Sequence, residues 1–125
     1  MKKKYALLVA LAITILTGCT LDTSPEEVVS IKVCNNEGVC KGLNSENMQG
    51  LLATIHKADF KISFFDTNTE NEPLYEIYLM GDDGESYFEL KKILVFNKEK
   101  VTDESGRLYK SSNEELDINF LAELF

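Results

Sequence analysis

The chain has one histidine, His56, and no apolar run long enough to cross a bilayer as a helix. The longest run, residues 5–16, is 12 residues of apolar side chains and one threonine, against the roughly 20 that a membrane-spanning helix needs. A lone histidine beside cysteines with five intervening residues does not make a zinc knuckle. No serine stands in a G-x-S-x-G elbow, and neither Cys34 nor Cys40 has a histidine partner to activate it. Carboxylates are plentiful, but they are scattered through turns and polar faces, where solvation accounts for them rather than a paired-acid site. There is no internal repeat and no low-complexity tract. The sequence therefore argues against an enzyme, and it implies no metal and no cofactor.

What is present begins at the N-terminus. Lys2, Lys3 and Lys4 precede the apolar run, and Leu16-Thr17-Gly18-Cys19 closes it with small residues before a thiol. A basic head, a short apolar segment and a small-residue cleavage site make a secretory signal peptide. The four closing residues resemble the lipobox of bacterial prolipoproteins. That resemblance implies a diacylglycerol thioether on Cys19 and cleavage between Gly18 and Cys19. The expected location is the extracytoplasmic face of the cell membrane, held by the lipid. The wealth of Lys, Asn, Glu and Ile suits a Gram-positive bacterium.

Cleavage takes 18 residues and three lysines, leaving 107 residues, one small domain, with formal net charge −11. So acidic a surface repels phosphate backbones, which excludes nucleic acid as a partner, and it also repels anionic headgroups. Membrane adhesion then falls to acyl chains, and a diacylglyceryl group supplies the two that stable anchoring needs. Residues 20–27 are polar, contain Pro25 and lack periodicity, so they read as a short tether between Cys19 and a single domain over 28–125.

Cys34 and Cys40 flank Asn35-Asn36-Glu37-Gly38-Val39. A three-residue loop (Asn36, Glu37, Gly38), with Gly38 left-handed, closes a hairpin that sets Asn35 opposite Val39 and Cys34 opposite Cys40. An oxidising compartment makes a structural disulfide the favoured reading over two free thiols, and redox or metal chemistry ranks last. On the chain-entropy model so short a crosslink stabilises by about 2 kcal/mol.

The rest of the chain alternates signals. Residues 28–33 are β-branched and open the fold as a strand. Met48, Leu51, Leu52 and Ile55 then fall at helical spacing, with Asn44 or Ser45 as cap. Gly50 weakens that helix by about 1 kcal/mol, and it reads equally as a point of close approach to a strand or as an ordinary exposed glycine. Residues 60–66 read as a strand and 67–72 as a polar loop ending at Pro73. Residues 74–80 and 86–90 read as a hairpin about a two-residue Asp83-Gly84 turn, which pairs Leu79 with Phe88 and Ile77 with Leu90. Tyr75, Ile77, Leu79, Phe88 and Leu90 then face the core, and Glu76, Tyr78, Tyr87 and Glu89 face out. A strand at 93–96, a turn at 103–106 and a strand at 107–110 follow. Ser112-Asn113-Glu114-Glu115 reads as a capping box, opening a helix that carries Leu116, Phe120, Leu121 and Leu124. The expected class is α+β, an antiparallel sheet of about five to six strands with two helices packed on it.

Three features are candidates for function. The acidic turn Asp82-Asp83-Gly84-Glu85 lacks the ligand spacing of a calcium loop and reads as a turn. His56 stands at the boundary of the apolar stripe and reads as an ordinary surface or half-buried histidine. Tyr78 and Tyr87 are diagonal neighbours in the expected register, and exposed sheet tyrosines can anchor a protein partner. The alternatives are that the last helix covers that face, or that the pair are simply surface β-formers. Tyr75 to Gly84 and Tyr109 to Leu124 are similar in order and pattern to small Gram-positive lipoproteins of the YhfM-like group. That resemblance implies a strand–helix–strand α+β fold and no particular activity, and it does not include the Cys34/Cys40 hairpin. The expected function is a non-catalytic interaction module in the cell envelope with a protein partner. The alternatives are a small-ligand sensor or accessory subunit of a transporter or signalling complex, and an envelope enzyme or enzyme inhibitor.

Overall fold

The computed structural model describes residues 21, 28–63 and 72–125. The elements are β1 (Ser30–Asn35), β2 (Cys40–Gly42), α1 (Ser45–Ala58), β3 (Phe60–Ile62), β4 (Tyr75–Asp82), β5 (Tyr87–Val95), β6 (Lys100–Thr102), β7 (Leu108–Ser111) and α2 (Ile118–Glu123). The strands form one antiparallel sheet in the order β2-β1-β4-β5-β6-β7-β3. The class is α+β with two helices, as expected; the segments 86–90 and 93–96, expected as two strands, are one strand, β5, and the count reaches seven because β2 and β6, three residues each, both join the sheet.

Alternation explains the layers. Ile31 and Val33 of β1, Ile77 and Leu79 of β4, Ile93 and Val95 of β5, and Val101 of β6 are all buried on one face. Onto that face pack Leu51 and Ile55 of α1 and Leu116 and Leu121 from the C-terminal segment. Each fully buried aliphatic side chain contributes roughly 1.5–3 kcal/mol relative to exposure. Asn44 caps α1 by accepting the N–H of Asn47 at 2.8 Å, and Asp59 ends it in the left-handed region at φ 51°.

Three sequence expectations change. The hairpin register shifts, because Asp82 pairs with Tyr87 and a bulge puts Met80 opposite Glu89 but Leu79 opposite Lys91. Side-chain capping drives this. The Asp82 carboxylate accepts the Gly84 N–H, and the Asp83 carboxylate accepts those of Glu85 and Ser86, at 2.8–2.9 Å. These bonds stabilise a four-residue loop over the two-residue turn. Ile77 then faces Ile93, not Leu90, and Tyr75 faces Val95. Phe88 is 42% exposed, with its ring and Leu90 lying over Gly81, where a Cβ would meet Phe88 at 2.8 Å.

Second, the capping box does not open α2. Asp117 caps it, accepting the Phe120 N–H at 3.1 Å. Ser112 and Asn113 instead satisfy the end of α1, donating to the carbonyls of Asp59 at 2.6 Å and Lys57 at 3.0 Å. Third, Gly50 faces α2 and not a strand: a Cβ there would stand 3.0 Å from the Phe120 ring. Of the strand expected at 60–66, the residues from 64 onward lie outside the described residues, as do 67–71 of the loop.

Leu21 is a further departure. It falls in the stretch expected to be a tether, yet its side chain is buried in the core cluster. Asp59 and Ser63 bond towards β7, through Ser112 at 3.1 Å and Leu108 at 3.0 Å. By alternation, the peptide groups of Phe60 and Ile62 then point to the open edge of β3. Leu21 N–H donates to the Phe60 carbonyl there at 3.0 Å. The signal segment, Cys19 and residues 22–27 lie outside the described residues.

Candidate functional site

Both helices lie on the Ile77/Leu79 face, so neither covers the opposite face of the sheet, where Tyr78 stands. Cross-strand pairing there sets Lys32 of β1 beside Tyr78 and Lys92 of β5 on its other side. The Lys32 and Lys92 ammonium groups sit 4.6 Å and 5.2 Å from the centroid of the Tyr78 ring, close enough for cation–π attraction. The Tyr78 hydroxyl donates to Glu76 Oε2 at 2.6 Å, and Lys92 Nζ stands 3.9 Å from Glu76 Oε1. The four side chains form one network. The hydrogen bond to Glu76 raises the Tyr78 pKa, burial adds to the rise, and Lys92 opposes it. Burial pulls the Lys92 pKa down, but the Tyr78 hydroxyl and the charge of Glu76 outweigh it, and the net shift is upward.

A disulfide joins Cys34 and Cys40, directly opposite each other at the β1–β2 turn. Asn35 N–H donates to the Val39 carbonyl at 2.8 Å, and the Asn35 side chain accepts the N–H groups of Glu37 and Val39. Gly38 takes φ 84°. The hairpin is therefore the one expected, and Cys34 points to the same face as Tyr78. Lys32, Cys34, Cys40, Pro73, Glu76 and Tyr78 line an open hollow of about 450 Å³. A larger groove, about 770 Å³, runs between the two helices past Gly50, Thr54 and Phe120, not between sheet and helices. The Lys98–Glu115 ion pair at 3.0 Å crosses its rim.

Tyr87 is 65% exposed and pairs with Asp82, four residues along β4 from Tyr78. At about 3.3 Å per residue the two tyrosines are roughly 13 Å apart along the strand. They share the helix-free face but are not diagonal neighbours, because the four-residue loop and the bulge move Tyr87 to the hairpin tip. Of the two lysines that complete the Tyr78 cluster, Lys32 carries no mark in the sequence beyond lying in an expected strand, and Lys92 falls between two of them; only the register brings them together. His56 is exposed on α1. The acidic turn is held by its own Asx bonds, and these backbone bonds lower the Asp83 pKa.

Asp103 is a polar centre that sequence reading leaves as a plain turn residue. It is buried and accepts from Ser105 Oγ at 2.5 Å, Ser105 N–H at 2.9 Å, Arg107 N–H at 3.1 Å and the Tyr109 hydroxyl at 3.3 Å. Burial pushes its pKa up, but the four hydrogen bonds together prevail and hold it below the ordinary carboxylate value. With three bonds from its own turn and one from Tyr109 of β7, Asp103 organises the β6–β7 connection. Among the described residues no group of three or more His, Cys, Asp or Glu side chains could hold a metal ion, and no helix is long and apolar enough to cross a membrane. The chain matches no family model, no curated protein and no solved structure.

Proposed function

We propose that the protein is a membrane-anchored extracytoplasmic lipoprotein, lipidated at Cys19, that acts as a non-catalytic interaction module in the cell envelope, in the manner of the small YhfM-like lipoproteins. The observation that carries this reading is the Lys32–Tyr78–Lys92 cluster on the helix-free face of the sheet. An aromatic ring flanked by ammonium groups, with a carboxylate at its hydroxyl, offers an apolar surface and charges of both signs, the chemistry that anchors protein partners. Tyr87 extends the same face to the hairpin tip. The Cys34–Cys40 disulfide fits an oxidising compartment, and its hairpin borders the cluster as a rigid wall.

The test is partner recovery from membranes by the lipidated protein and by its Tyr78→Ser and Tyr87→Ser variants. Recovery should fall sharply for Tyr78→Ser and less for Tyr87→Ser, with the unfolding midpoint of each variant near that of the parent. Unchanged recovery by both variants removes this face from the account. A second reading, a small-ligand sensor, has one observation in its favour, the hollow between the disulfide and Tyr78. Ligand-induced changes in tyrosine fluorescence that the Tyr78→Ser variant lacks would favour it.

A further inference from the structure

The described residue nearest the proposed lipid, Leu21, is docked into the domain. Leu21 lies two positions after Cys19 in the sequence. Two residue steps reach at most about 7 Å, so covalent geometry alone keeps Cys19 close to the open edge of β3. A diacylglyceryl group on Cys19 starts at the membrane interface. The edge that holds Leu21 must then lie at the headgroups.

The charge distribution suits that placement. Lys61 of β3 stands directly opposite Lys110 of β7, and Lys110 directly opposite Lys100 of β6. Directly opposed like charges weaken a sheet, and this row of three lysines occurs in a chain of net charge −8. Lys61 also approaches Asp59 at 3.7 Å, and Lys100 and Lys110 are engaged within the fold as well. The row sits at the end of the sheet where Leu21 docks. Asp82, Asp83 and Glu85 sit at the opposite end, beyond the eight residues of β4, a span of about 26 Å.

We infer that the domain rests on the bilayer by the corner formed by the open edge of β3 and the Lys61–Lys110–Lys100 row, facing anionic headgroups, with the acidic β4–β5 tip pointing away. This rests on the acylation of Cys19 proposed above. A short docked connection fixes which end faces the lipid, and the lysine row offsets the repulsion that an acidic domain otherwise meets at an anionic surface. By alternation the lysine row projects from the same face of the sheet as Tyr78, so that face meets the headgroups at the β3 corner and is open to a partner at its β1–β4 end.

The experiment uses the full lipidated protein in vesicles of phosphatidylcholine and phosphatidylglycerol with an acceptor dye on the headgroups. A donor dye is placed through Lys61→Cys or Glu85→Cys, and flotation is scored in the same samples. Energy transfer should be several-fold stronger from position 61 than from position 85. A Gly-Ser insertion of about ten residues between Thr20 and Leu21 keeps Leu21 docked and adds a root-mean-square reach of about 17 Å, so it should erase most of that difference. Equal transfer from the two positions in protein that floats overturns the orientation alone. A difference that survives the insertion overturns the short connection as its cause. Protein that fails to float overturns the anchor and the orientation together.

Discussion

Leu21 and Phe60 are joined by a backbone hydrogen bond of 3.0 Å on the open edge of β3, which makes a residue three steps beyond Gly18 part of the folded core. An unprotected edge strand is an invitation to pair with another chain, and Leu21 closes part of this one. The Leu21→Ala variant should lose about 2–3 kcal/mol, the lower end of the range for buried leucines, since its site is at the margin of the core. Urea unfolding measures this, and an unchanged midpoint would mean that Leu21 contributes nothing to the core.

The disulfide closes a loop with a sequence separation of 6. Reduction should therefore lower stability by about 2 kcal/mol on the chain-entropy model, without unfolding a domain whose core lies on the other face of β1. Unfolding with and without reductant checks the size, and intact mass checks that the unreduced protein has no free thiol at either position.

The parts of the fold that the sequence discloses are those governed by local chemistry. The Asn44 cap, the α1 stripe of Leu51 and Ile55, the Gly38 hairpin and the alternation of Ile77 and Leu79 all depend on neighbours within a few residues. What stays hidden depends on competition or on register. Asp83 has two ways to close its turn, and the side-chain bonds to Glu85 and Ser86 prevail over the two-residue alternative. Ser112 and Asn113 have the form of a capping box, but they bond to the end of α1, more than fifty residues earlier. Lys32 and Lys92 join Tyr78 only after two strand pairings are fixed. The Tyr78 half of the candidate site is thus legible as an outward aromatic, and its cationic flanks are not.

Asp103 makes stability depend on pH. Its pKa in the fold lies below the ordinary value, so the unfolded chain takes up the proton more readily than the native one. Its contribution is fully present above the unfolded carboxyl pKa of about 3.9 and is lost as pH falls through the folded value. The Asp103→Asn variant should be less stable at neutral pH by about 1–3 kcal/mol, and it should lose less than the parent on acidification below about pH 4. Parallel losses in the two proteins would contradict the assignment.

Gly50 faces the ring of Phe120. Gly50→Ala gains about 1 kcal/mol of helix propensity but puts a methyl 3.0 Å from that ring, so the two effects should nearly cancel. Gly50→Leu cannot be accommodated and should destabilise by about 1–3 kcal/mol. Thermal unfolding of the pair distinguishes close helix packing from a freely exposed position, where both substitutions would stabilise.

Anchoring through Cys19 predicts that Cys19→Ser leaves the membrane fraction and lacks the acyl mass, while its folded domain keeps the parent's unfolding midpoint. Retention of this variant on membranes would mean that something other than the lipid holds the protein there.

The most direct test of the account as a whole is in-cell crosslinking of the lipidated protein with an amine-reactive reagent, followed by purification and mapping of the linked residues, with an unrelated lipoprotein as control. One protein should be recovered in near-stoichiometric amount, linked through Lys32 or Lys92 beside Tyr78. Nothing beyond the control, or links confined to Lys57 and Lys98 on the helix side, would contradict it.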